Sequence, residues 1–338
     1  MKPKSVSRAG YASCNGARRG NIRFRIATAF AVLTAATSAR AQLTGTLIRG
    51  QYGLAAGTQA PEGLVLSGFI YDYYTSTVVG PNGNSVQGMN GSLNLFVPGI
   101  NVWYVSPLKI LDANYGAVLS MWTTSSRTDF PRLNASSSSF GFGDMYLKPV
   151  ELGWHTTFVD VITGFAFWIP TGTYTPGGNS NSGQGQWGYE FSAGATVWFE
   201  KDHHFNFSTQ AFYDIYSPRR GTIGPSNTQL QTGNIFTFMG GLGYQLLQGG
   251  LNVGIPYFIQ WKVTEDTLPR GIGPVLPEIQ AAKDWSVGLG VEADFFWSTT
   301  DGVSVRFLQG FAGSNTTNGQ SYFLTYNHIL PIGRKGSP

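Results

Sequence analysis

Trp187-Gly188-Tyr189-Glu190-Phe191-Ser192-Ala193-Gly194-Ala195-Thr196-Val197-Trp198-Phe199-Glu200 decides how this chain is read. Trp187, Tyr189, Phe191, Ala193, Ala195, Val197 and Phe199 share one face, and Gly188, Glu190, Ser192, Gly194 and Thr196 share the other. Alternation at every second residue marks a strand, because successive side chains point to opposite faces. From Trp187 to Phe199 is twelve steps of about 3.3 Å, or roughly 28 Å of height at a tilt near 45°. A soluble strand averages about 5–6 residues, whereas a bilayer-spanning strand needs about 9–11 and carries an apolar outer face with aromatic ends.

The same alternation recurs at 205–216, 251–263 and 284–297. Working outward from these, the pattern predicts strands at 64–75, 92–105, 114–124, 139–152, 158–170, 187–200, 203–216, 230–246, 250–263, 283–297, 302–311 and 320–330. Long connections at 76–91, 125–138, 171–186, 217–229, 264–282 and 312–319 alternate with short ones at 106–113, 153–157, 201–202, 247–249 and 298–301. An outer-membrane barrel has long external loops and short periplasmic turns, so the expected fold is all-β, a transmembrane antiparallel up-and-down barrel of about 12 strands. Composition agrees. Of 338 residues 45 are Gly, 14% are aromatic and 12% are charged. Average domains have roughly 7% Gly and roughly 25% charged residues, so a solvated helical domain, a coiled coil and an acidic disordered chain are excluded. No run of 18 apolar residues is present, which excludes spanning helices.

Residues 1–41 carry eight basic residues and no acid, an apolar stretch from Ile26 to Ala36, and the end Ala39-Arg40-Ala41. This is the layout of a cleavable signal peptide. Arg18-Arg19 is similar to a twin-arginine signal with poorly matching followers, and the long basic stretch leaves the true start codon open. Removing 1–41 takes eight of 22 basic residues and leaves all 18 acids, so the formal charge changes from +4 to −4. The basic balance therefore belongs to the signal and implies no nucleic-acid partner. Cys14, the only cysteine, leaves with it, so a mature disulfide is excluded. The expected organisation is a signal at 1–41, a periplasmic or plug segment at 42–63, the barrel at 64–330 and a periplasmic tail at 331–338.

Catalytic and metal chemistry is sparse. His155, His203, His204 and His328 show no metal-ligand spacing, and no metal or cofactor is expected. His204, Asn206 and Ser208 share a face and could in principle make a hydrolase, although polar residues there also suit a lumen wall. Gly183, Gly185 and Gly188 match a dinucleotide string but precede a strand, so the helix that such a site needs is missing. Arg219-Arg220 in a long loop could hold lipopolysaccharide phosphates or simply be solvated. If the polar faces point inward, Asp144, Lys148, Glu190, Gln210, Asp214, Lys262, Glu292, Asp294 and Arg306 line the lumen, either as a selectivity lining or as a salt-bridge network. Pro98, Pro149 and Pro256 each remove a ladder donor and mark kinks, or a lateral exit through the wall. Twelve strands enclose more than the eight that side chains fill and less than the 16–18 of an aqueous channel, and residues 43–62 could block the passage.

Four stretches together resemble one family. They are Arg49 to Gly63, Gly141 to Pro149 with its G-x-G-D, Phe167 to Gly172 with its P-T-G end, and Ser217 to Thr222 with its R-G-T. They resemble the MetA-pathway of phenol degradation family, outer-membrane barrels thought to be related to channels for fatty acids and aromatic hydrocarbons. The resemblance implies a non-enzymatic outer-membrane channel for passive uptake of small hydrophobic or aromatic compounds. Its partners would be outer-membrane lipid, lipopolysaccharide and the ligand, with oligomeric state open. The alternative is a structural or adhesive barrel with a filled lumen.

Overall fold

The computed structural model describes residues 45–133, 135–223, 227–267 and 283–331. The expected signal at 1–41 and the expected tail beyond Pro331 lie outside the described residues. The described residues form thirteen strand segments. These are β1 (Gly63–Val79), β2 (Ser92–Ile110), β3 (Ala113–Phe130), β4 (Ala135–Phe142), β5 (Met145–His155), β6 (Val159–Ile169) and β7 (Gly188–Trp198). There follow β8 (Phe205–Tyr216), β9 (Ile235–Leu246), β10 (Leu251–Lys262), β11 (Trp285–Phe296), β12 (Asp301–Ser314) and β13 (Thr316–Leu330). No helix among the described residues is long and apolar enough to cross a membrane.

Each strand pairs antiparallel with its neighbours, and β1 pairs with both β13 and β2, which closes the sheet. β4 and β5 share one place in the wall. Thr123–Phe130 of β3 pair with β4, while Asn114–Ser120 pair with β5. The barrel is therefore twelve-stranded in cross-section. Pairing of β1 with β13 and β2 removes the open ends of the sheet, which is the condition for sheet to lie in hydrocarbon, while β4 pairs with β3 alone.

Burial is inverted relative to a soluble sheet. On β7 Tyr189, Phe191, Ala193 and Val197 are exposed, while Glu190, Ser192 and Thr196 are buried. On β8 Asn206, Ser208, Gln210 and Asp214 are buried. An outer surface this apolar is stable against lipid and not against water. Aromatic residues mark both edges of the band. Trp187 and Trp285 stand outward at the long-loop end, and Phe199 stacked on Phe205 and Trp297 stacked on Tyr326 stand at the short-turn end. These features make the chain an outer-membrane barrel.

Two expected long connections are short. β3 and β4 run on as a paired hairpin to Phe130 and from Ala135, and β12 and β13 turn on Asn315 alone. Their added lengths are Ser- and Thr-rich, as in the Ser126–Ser139 hydroxyl pair at 2.7 Å. These stretches extend the strands beyond the apolar band. Lipid imposes no apolar alternation there, so strand resembles loop in the sequence. At the other rim β2 and β3 turn on Leu111 and Asp112, with φ of 52° and 64°, and 106–113 is mostly strand. Two consecutive positive φ values are those of a type I′ hairpin turn. The strand expected from 230 starts at Ile235, because Gly233 N–H is taken by Asp266 at 2.8 Å. Strand 139–152 divides at Gly143-Asp144 into β4 and β5.

Ala193 faces outward at the middle of β7. Ala193→Arg should destabilise the barrel by about 2–4 kcal/mol, as a cation at the bilayer midplane does. Denaturant titration of the protein refolded in lipid vesicles measures this.

Candidate functional site

Residues 45–62 run inside the barrel before β1 leaves from its short-turn rim. Thr46 N–H donates to the Tyr216 hydroxyl at 3.1 Å, and Arg49 donates to Ser286 and Thr316 hydroxyls on the far wall. Further along, Gly57 N–H donates to Ser208 Oγ at 2.8 Å, and Thr58 Oγ1 donates to Asp160 at 3.0 Å. Gln59 Nε2 reaches Glu151 at 3.3 Å. Three tight turns keep the segment compact, closed by Gln51, Ala56 and Thr58 N–H on the Ile48, Gly53 and Ala55 carbonyls. Its glycines fit close approaches. A Cβ at Gly53 would strike the Glu292 carboxylate, and one at Gly57 would strike the Ala195 backbone. Residues 45–62 thus occupy part of the lumen, with their polar groups bonded to the wall.

The main clamp is ionic. Arg306 makes a two-pronged pair with Glu292, with Nε to Oε2 at 2.7 Å and Nη2 to Oε1 at 2.5 Å. The remaining Arg306 nitrogen donates to the Gly50 and Gln51 carbonyls at 2.9 and 2.7 Å. Glu292 also accepts Leu54 N–H at 3.2 Å, and Asn206 donates to the Leu54 carbonyl at 3.1 Å. Wall charge thus replaces the strand partners that the plug backbone lacks.

The other predicted lumen residues, Asp144 apart, are buried within the barrel. Lys148 pairs with Glu151 at 3.3 Å. Lys262 pairs with Asp266 at 2.9 Å and with Asp284 at 3.2 Å. Asp294 accepts from Asn252 at 3.3 Å. Glu190 accepts the Tyr146 hydroxyl at 2.7 Å, and its cross-strand neighbour Asp214 accepts Trp168 Nε1 at 3.2 Å. Gln210 is buried with both amide atoms unpartnered. Asp144 sits in the wall and accepts Gly172 N–H at 3.0 Å and Gln184 N–H at 2.6 Å, which pins the loop carrying the glycine string. Arg219 also turns inward to Gln184 at 2.7 Å, and burial lowers its pKa.

Glu151 escaped the sequence reading for a geometric reason. Period two puts residues 148 and 151 on opposite faces. The bulge at Pro149 shifts β5 by one residue against both neighbours, so Lys148 and Glu151 both point inward. The hydrolase arrangement does not form. His204 lies at a turn, paired with Glu200 at 3.4 Å, while Ser208 bonds Thr196 and the plug. Four residue steps along the chain separate His204 from Ser208, or about 13 Å. Among the described residues no group of three or more metal-binding side chains occurs.

The wall has a break. Val97 and Pro98 have no ladder partners on β3, whose pairing changes from β5 to β4 across Gly143-Asp144. A recess of about 520 Å³ lies there, lined by Pro98, Ile100, Met121, Trp122, Phe142 and Met145 among others. Ile100, Met121 and Phe142 form its exposed mouth. Trp122 meets Trp168 at 5.9 Å, and Trp168 meets Tyr146 at 4.5 Å, so aromatic side chains lead from the recess into the lumen. By contrast Pro149 sits in the β5 bulge, and Pro256 opens only a short gap toward β11 while its register with β9 is unbroken.

Residues 75–326 match the model of the MetA-pathway of phenol degradation family. The chain belongs to this family. No curated protein matches it. Among solved structures it is similar to the COG4313 outer membrane channel from Pseudomonas putida F1, with a TM-score of 0.69 and 15% identity over 84% of this chain and 100% of that one. It also matches the transport unit of the autotransporter AIDA-I from Escherichia coli at a TM-score of 0.49, with 8% identity over 90% of this chain and 97% of that one. The toluene transporter TodX from Pseudomonas putida matches at 0.41, with 10% identity over 87% of this chain and 95% of that one. These identities show the fold alone. Within the matched residues 75–326 lie the wall break and all nine predicted lumen positions, whereas residues 45–62 precede it.

Two outcomes test the clamp. Arg306→Met leaves Glu292 buried without its cation and should cost about 3–5 kcal/mol, read by denaturant titration in vesicles. Gly57→Val should expel the plug without touching the wall charges, and should raise single-channel conductance in a planar bilayer over the unmodified protein.

Proposed function

We propose that the protein is an outer-membrane channel for passive uptake of small hydrophobic or aromatic compounds, with passage through the wall break as its apolar route. The recess at Pro98 and Gly143 carries this reading. It is apolar at its mouth, opens where the ladder is interrupted, and continues into lumen aromatics. An apolar solute gains by moving along such a path instead of down a lumen lined with charge and occupied by the plug. On this reading the inward charges chiefly seat the plug and close the wall, and no catalysis is involved.

The filled lumen favours a second reading, a closed structural or adhesive barrel. Uptake separates the two. Proteoliposomes should take up toluene faster than protein-free vesicles, in proportion to its gradient and without an energy source. Thr123→Trp, which fills the recess, should slow this several-fold and leave ion conductance unchanged. Uptake equal to that of protein-free vesicles would leave the structural reading.

A further inference from the structure

The plug carries a phenol of its own. Tyr52 stacks on Phe212 of β8 with ring centroids 5.0 Å apart and planes 25° from parallel. Its phenol interacts with the Tyr146 hydroxyl and with the charges of Lys148, Glu190 and Glu151. Tyr146 passes its proton toward Glu190 Oε1 at 2.7 Å, which leaves the Tyr146 oxygen free to accept from a neighbouring hydroxyl. The other Glu190 oxygen is buried with no partner. Tyr146, Phe212 and Glu190 are all at least nine-tenths buried, whereas Tyr52 is only partly covered. The wall therefore presents a flat aromatic floor with a hydrogen-bonding end wall. Tyr52 is held there by plug backbone and could leave without unfolding any strand. The aromatic line from the recess through Trp122 and Trp168 ends at Tyr146, beside this site.

We infer that Phe212, Tyr146 and Glu190 form a binding site for a monocyclic phenol, which Tyr52 occupies as a built-in stand-in when the plug is seated. This rests on the channel reading and deepens it, because it names the class of solute that the lumen recognises. The ring stacks on Phe212, and the hydroxyl donates to the Tyr146–Glu190 pair. An aromatic without a hydroxyl leaves those groups unmet, so the site discriminates by hydrogen bonding as well as by size. The seated plug competes directly, since its tyrosine and the incoming phenol need the same space.

The test uses the full barrel in detergent with Tyr52→Ala, titrated with 4-fluorophenol and fluorobenzene by fluorine NMR. Saturable binding of 4-fluorophenol is expected, at least about tenfold tighter than fluorobenzene and about tenfold tighter than to the unmodified protein. Adding Tyr146→Phe should erase the preference between the two probes while leaving the stacking. Equal affinity for both probes in the Tyr52→Ala barrel, or equal affinity of that barrel and the unmodified one, would overturn the site. Should Tyr52→Ala fail to fold, judged by heat-modifiable gel mobility, Tyr52→Ser removes the ring while keeping a small hydroxyl, and the same outcomes decide. Proteoliposome uptake of phenol by the unmodified protein is measured separately. Binding without uptake overturns the channel and leaves the site standing, and uptake without a phenol preference in Tyr52→Ala does the reverse.

Discussion

The structure depends on one constraint, that no backbone polar group may face hydrocarbon without a partner. Pairing of β1 with both β13 and β2 meets it by closing the sheet. Closure then fixes everything else. It makes the wall two-faced, apolar outside and polar inside. It also sets a circumference of twelve strands, too wide for wall side chains alone to fill. The N-terminal segment occupies the remaining space, and the wall charges supply partners to its backbone. Arg306 illustrates the coupling. It neutralises Glu292 and donates to two plug carbonyls, so the clamp and the wall share one buried ion pair. A buried pair of this kind is a weak source of net stability but a strong source of register, because either charge left alone is costly.

The same constraint explains why the wall break is informative. A ladder interruption in lipid is tolerated only where side chains or loops cover the freed groups. Here Thr171 bridges the gap, accepting Met145 N–H at 3.0 Å and donating to the Gly143 carbonyl at 3.1 Å. Asp144 holds the following loop in place from the inner side. The break is thus bridged by Thr171 and Asp144, and its mouth is lined by apolar side chains.

Much of the fold was legible because lipid writes a period of two onto every residue inside the band. Trp187 to Phe199 shows this without ambiguity, and so do the inward positions Glu190, Asp214 and Glu292. Legibility failed where that pressure stops. The Ser-rich β3–β4 hairpin and the Thr316–Gln320 stretch extend past the band and read as loops. It failed again at Pro149, where a bulge reverses the inside–outside count and hides Glu151. The plug could be suspected from its Gly-, Ala- and Thr-rich composition. Its contacts could not, since a segment without regular structure has no periodicity from which to infer neighbours. Tyr52 looks like any other aromatic in the sequence, and only the lumen geometry gives it a role.

The plug is joined to β1 at Gly63, beside Leu330 at the seam of first and last strands. A tethered ligand is never diluted. Even when it swings clear, its binding face remains at an effective concentration on the order of mM, as for any short flexible linker. The lumen is therefore buffered by a competitor of fixed strength, whatever the cell's surroundings contain. A solute of weak affinity gains entry only when its own concentration approaches that level. A chain segment fewer than twenty residues long in its described part, 45–62, thus sets a threshold on what the barrel responds to.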